Sequence, residues 1–107
     1  MSDILDDVHD DVGRALDEAE AKHGNGCAMY LPLPTDPRRY RSLITLGMLA
    51  RHQIDIDRNP DALAVLCEEL GEAAEAMLAG DHQQAHAELV QCAAVCTMLA
   101  AGMKAKL

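Results

Sequence analysis

Apolar residues recur along this chain at helical spacing. Between residues 3 and 23 they fall at Ile4, Leu5, Val8, Val12, Ala15, Leu16 and Ala19, with acidic residues filling most of the gaps. That spacing predicts an amphipathic helix, started at Ser2 or Asp3 and ended by Gly24-Asn25-Gly26. Residues 24–37 hold Pro32, Pro34 and Pro37 besides those glycines and predict a loop, long enough to be a candidate functional segment.

Thr35-Asp36-Pro37 reads as a capping residue followed by Pro in the first helical turn. It opens a second helix, 37–54, with Tyr40, Leu43, Ile44, Leu46, Gly47, Leu49 and Ala50 as its apolar side; Asp55-Ile56-Asp57-Arg58 is expected to break it. Asn59-Pro60-Asp61 repeats the start signal for a third helix, 60–79. Gly80 is the expected C-cap, and Asp81 caps a fourth helix, 82–104. So short a link forces the last two helices into an antiparallel hairpin. The expected fold is a single all-α domain over 1–107, a four-helix bundle.

Composition supports helices. Phe and Trp are absent and Tyr occurs twice, so the core must be built from Leu, Ala, Val, Met, Ile and Cys. A chain of 107 residues with such small side chains buries little area on its own, which makes a homodimer or homotetramer the expected way to gain core. The net charge of −9 excludes a nucleic-acid backbone binder but leaves a nucleotide brought in with a divalent metal. There is no secretory signal pattern, and Leu89 to Met103 is shorter than the ~20 apolar residues of a bilayer span, so a cytoplasmic protein with no membrane partner is expected. Cys27, Cys67, Cys92 and Cys96 contain no Cys-x-x-Cys and read as small core hydrophobes in a reducing compartment.

The chemistry lies in the hairpin. On the third helix, Leu63, Leu66, Cys67, Leu70, Ala74 and Met77 form the expected core stripe. Glu69 and Glu72, one turn apart, project along a flanking strip of small apolar residues. On the fourth, Glu88 and Gln91 lead into Val95, Met98, Leu99 and Gly102, on a helix apolar almost all round and therefore expected to be buried on most sides. No Lys or Arg falls between Arg58 and Lys104, so partners must be cations from the first two helices or metal ions. Two antiparallel helices, each offering two oxygen-bearing side chains, suit a hard cation and water attack on a phosphate chain.

Glu69-x-x-Glu72 followed by Glu88-x-x-Gln91, within the words Glu68-Glu69-Leu70-Gly71-Glu72 and Ala87-Glu88-Leu89-Val90-Gln91, resembles the E-x-x-E…E-x-x-D signature of the all-α MazG-like and dimeric dUTPase-like pyrophosphohydrolases. The resemblance covers about residues 60–103, with a fainter likeness of Lys22-His23-Gly24 to a Lys-Trp-Gly element of small relatives. It implies a Mg²⁺-dependent enzyme, with Mn²⁺ as a substitute, that cleaves a nucleoside triphosphate to the monophosphate and pyrophosphate. Glu69, Glu72, Glu88 and Gln91 would be the metal ligands and Glu69 part of the catalytic set, with Glu68 handling the attacking water. Lys22, His23, Arg51 and His52 are candidates for the substrate. Gln91 departs from the signature: its amide carbonyl can ligate but brings no charge. A catalytically silent module binding a nucleotide or a protein is the alternative.

Blander readings stand beside these. His82-x-x-x-His86 has metal-ligand spacing but Gln83 where a zinc protease has its Glu, so solvated histidines are expected; His9 reads as surface. Arg38, Arg39, Arg41 and Arg51 either bridge to the acidic first helix or meet phosphate. Tyr30 and Tyr40 are the only aromatics available to stack on a base.

Overall fold

A computed structural model describes residues 2–24, 37–57 and 61–107. These form four helices and no strand: α1 (Ser2–His23), α2 (Pro37–Asp57), α3 (Ala62–Ala79) and α4 (His82–Lys104). The 25–36 part of the expected loop, with Cys27 and Tyr30, lies outside the described residues, as do Arg58 and Pro60.

The local signals act at the ends. Gly24 (φ 89°) closes α1, its N–H donating to the Glu20 carbonyl at 2.8 Å. The helix begins at Ser2, so Asp3 lies in its first turn rather than capping it. α2 runs to Asp57, not Ile54: Asp and Ile weaken a helix without stopping it, and no Gly or Pro intervenes before Pro60. α3 starts at Ala62, with Asp61 as N-cap accepting from the Ala64 N–H at 2.8 Å.

The α3–α4 link is the tightest piece of the fold. Gly80 sits in the left-handed region (φ 75°) and donates to Met77, while the Asp81 N–H donates back to Ala76 at 2.9 Å, a Schellman closure. The Asp81 side chain then accepts from the Gln84 N–H at 3.0 Å, so one residue ends α3 and caps α4. This pins the register of the hairpin.

The helices pack in series. α2 lies along α3, α3 along α4, and α1 touches α4 alone among the described elements. The arrangement is an open, flat array of 41 × 38 × 21 Å. Its radius of gyration is 15.5 Å, against about 13 Å for a compact chain of this length. The core consists of small side chains: Ala73, Ala74, Ala76, Ala85 and Cys92, with Val8 and Tyr40. At the α2–α3 crossing, Gly47 and Gly71 are both buried and meet backbone to backbone.

Two expected stripes are rotated. On α3 the buried positions are Gly71, Ala73, Ala74 and Ala76, while Leu63 is 61% exposed. Two neighbouring helices close on α3, so its buried arc is broad and centred on the residues small enough to admit both. On α4 burial follows Ala85, Glu88, Cys92, Val95 and Leu99; Gln91, Met98 and Gly102 turn outward. Among the described residues α4 meets only α3 and, lightly, α1, which leave most of its apolar surface uncovered, with Met98 70% exposed. Over its whole length α4 is also long and apolar enough to cross a membrane, which the shorter run from Leu89 did not suggest.

Candidate metal centre

The hairpin geometry sets the site. At about 1.5 Å rise per residue, Glu72 and Glu88 stand at nearly equal heights from the Gly80 turn, and Glu69 lies one turn further along α3. Glu69, Glu72 and Glu88 each bring a carboxylate oxygen to within 4.8 Å of the others, and all three are half-buried. Ligand oxygens around Mg²⁺, at about 2.1 Å from the ion, lie about 3–4 Å apart, so the trio offers such a cation an all-oxygen donor set that a small side-chain adjustment would close around it.

Hydrogen bonding between the carboxyls and burial lead the electrostatics, with charge crowding behind them. Glu69 is pushed up to about 7, first by sharing a proton with Glu88 and then by burial and the negative charge of Glu88, Glu72 and Glu68. Glu72 is also pushed up to about 7, first by burial and then by Glu88 and Glu68. Glu88 is held below the ordinary carboxylate range, first by hydrogen bonding with Glu69, with help from Glu72 and Gln84. Glu88 is thus the member that stays ionised, while Glu69 and Glu72 titrate near neutral pH. Cys92 packs beside the trio; burial, then Glu69, raises its thiol.

Gln84 was not singled out by the sequence pattern. It lies one turn before Glu88 and donates from Nε2 to the Glu88 carboxylate at 2.6 Å. The i, i+4 spacing of an amide and a carboxylate was the available signal. Glu75 and Asp81 were likewise unassigned, yet they line a cleft of ≈ 680 Å³ with Glu72, Gln84 and Glu88. A second cleft, ≈ 310 Å³, lies between α2 and α3 and is lined by Arg51 and Met48 opposite Glu68, Glu72 and Glu75.

The remaining candidates divide. Glu68 lines the second cleft and interacts with Glu72, beside the trio. Arg51 shares that cleft, whereas His52 is exposed and lines neither. Lys22 is exposed near the end of α1 and lines neither cleft; α1 is buried at Val8 and exposed at Val12 and Leu16. The side chain of His23 lies outside the described residues. Gln91 stands level with Glu69 on the exposed flank of α4.

His82 and His86 are exposed and outside the carboxylate trio, and His9 is exposed. Tyr40 is buried, so it cannot stack on a base. α1 does not pack against α2, so the α2 arginines do not sit in an α1–α2 interface; the α1 residue Asp11 pairs with Arg14 and with Lys104 of α4 instead. Comparison with family models, curated proteins and solved structures finds no match for this chain.

Proposed function

We propose that the chain is a Mg²⁺-dependent nucleotide pyrophosphohydrolase of MazG-like type, converting a (d)NTP to the (d)NMP and pyrophosphate. The observation that carries this reading is the convergence of Glu69, Glu72 and Glu88, three residues of the signature that the sequence resembles, across a hairpin with no lysine or arginine of its own before Lys104. Those carboxylates would hold Mg²⁺ or Mn²⁺; Gln91, exposed on the flank of α4, would have to turn its amide oxygen inward to add a weak neutral ligand.

A divalent cation there supplies charge neutralisation at the phosphates and a more acidic water. The chain's part is to position and to move protons. Glu88, kept ionised by its neighbours and by Gln84, anchors the cation. Glu68, next to the trio and on the cleft wall, orients the attacking water and takes its proton. Of the four substrate candidates, Lys22, His23, Arg51 and His52, Arg51 is the one whose described position adjoins the trio.

A homodimer or homotetramer in the cytoplasm completes the reading. The chain presents 8175 Å² of surface, against about 5,800 Å² for a compact monomer of 11.5 kDa, and Leu89, Val90, Met98 and Met103 of α4 are among its exposed apolar residues. A second copy covering α4 would remove that surface.

One observation favours the silent nucleotide- or protein-binding module as a second reading. Gln91 is neutral and faces outward, which leaves three charged ligands in place of four. Incubation of the purified protein with each (d)NTP and Mg²⁺ or Mn²⁺, with pyrophosphate release as readout, separates the two. Release abolished by Glu69→Ala and Glu72→Ala supports the enzyme; no release from wild type, with activity gained by Gln91→Asp, supports the silent module.

A further inference from the structure

The carboxylate trio adjoins two acidic clefts, only one of which has a cation among its lining residues. The cleft at the hairpin end is walled by Glu72, Glu75, Asp81 and Glu88, with no cation among its lining residues. A polyphosphate entering there meets carboxylates on every side. The α2–α3 cleft shares Glu72 and Glu75 and adds Glu68, but it carries Arg51 on its opposite wall. None of the ion pairs among the described residues involves Arg51, although Glu68, Glu72 and Glu75 line the same cleft, so its guanidinium is available to an anion. Gly47 and Gly71 border the cleft where α2 and α3 meet backbone to backbone. Arg38, Arg39 and Arg41 share the helix but not the cleft.

Resting on the metal reading above, we infer that the α2–α3 cleft is the polyphosphate channel, with Arg51 the residue that grips the pyrophosphate end of a metal-bound nucleotide. The guanidinium presents a planar fork of donors that matches two phosphate oxygens, and the metal edge at Glu72 takes others. The cleft is open to solvent and too small to enclose a nucleotide, so it would take the phosphate chain along its mouth and leave the base outside.

Calorimetry with two titrants tests this, using the full-length protein. Mn²⁺ alone reports the metal site; inorganic pyrophosphate added to the Mn²⁺-saturated protein reports the cleft. In Arg51→Ala, Mn²⁺ affinity is kept and pyrophosphate affinity falls by about tenfold or more, the scale of a lost charge-assisted hydrogen bond. Arg51→Lys restores part of the loss, and Arg41→Ala, on the same helix outside the cleft, binds as wild type. Equal pyrophosphate affinity in wild type and Arg51→Ala overturns the channel while leaving the metal site standing. Metal uptake without pyrophosphate binding in wild type does the same, and failure of wild type to take up Mn²⁺ overturns both.

Discussion

Gly47 and Gly71 meet where α2 crosses α3, so closely that a Cβ on Gly47 would lie 2.8 Å from the Gly71 Cα and one on Gly71 2.7 Å from the Gly47 Cα. Both contacts are with backbone, which cannot swing aside. The crossing therefore holds α2 against the stretch of α3 that carries Glu68, Glu69 and Glu72.

Gly71→Ala is expected to destabilise the fold by about 1–3 kcal/mol, because forced overpacking outweighs the ~1 kcal/mol that alanine gains in a helix. Gly13→Ala, on α1 with open space around it, should instead stabilise by about 0.5–1 kcal/mol. Urea unfolding of the two variants checks the sign difference; equal shifts would show that the crossing is looser than described.

The crowded carboxylates make stability depend on pH. Glu69 and Glu72 rise from an ordinary value of 4.5 to about 7 in the folded state, so the native protein holds their protons more firmly than the unfolded chain. Stability from this source is complete below 4.5 and is lost as pH rises through about 7. In EDTA, the unfolding midpoint should fall between pH 5 and pH 8, and Glu69→Gln should flatten the fall. A midpoint that climbs over that range contradicts the account of the site.

α1 is held by apolar contact more than by charge. Val8 is 3% exposed, whereas the Asp11–Lys104 pair is only partly buried and Asp11 also serves Arg14. Val8→Ala should cost about 1–3 kcal/mol, and Lys104→Ala only a small part of that. Thermal unfolding of both variants ranks them; a larger loss from Lys104→Ala reverses the assignment.

The uncovered apolar side of α4 predicts self-association. Sedimentation velocity should find dimers or tetramers at micromolar concentration, and Met98→Glu should shift the population toward monomer without loss of helix content. A monomer at every concentration would leave α4 needing a different cover.

Helix starts and stops were the most legible part of the sequence. Asp61, Gly80 and Asp81 act through their own backbone chemistry, so local reading finds them. Glu69, Glu72 and Glu88 were legible because carboxylates on otherwise apolar strips are costly to bury without partners. The rotation of the buried faces was not legible. It depends on which helices pack together, and the Gly47–Gly71 contact joins residues far apart in the chain. Gln91 illustrates the result: its spacing from Glu88 matches the signature, but burial on α4 follows Glu88 to Cys92 and Val95, which turns Gln91 outward. Gln84 escaped notice because an amide in a polar first turn looks like ordinary surface until Glu88 is known to have a task.

The central claim is that Glu69, Glu72 and Glu88 hold a divalent cation. Titration of Mn²⁺ into wild type and into Glu69→Ala, with circular dichroism confirming that both are folded, tests it most directly. Wild type is expected to bind Mn²⁺ saturably, with binding lost or strongly weakened in Glu69→Ala; an affinity unchanged by that substitution contradicts a cation held by these carboxylates.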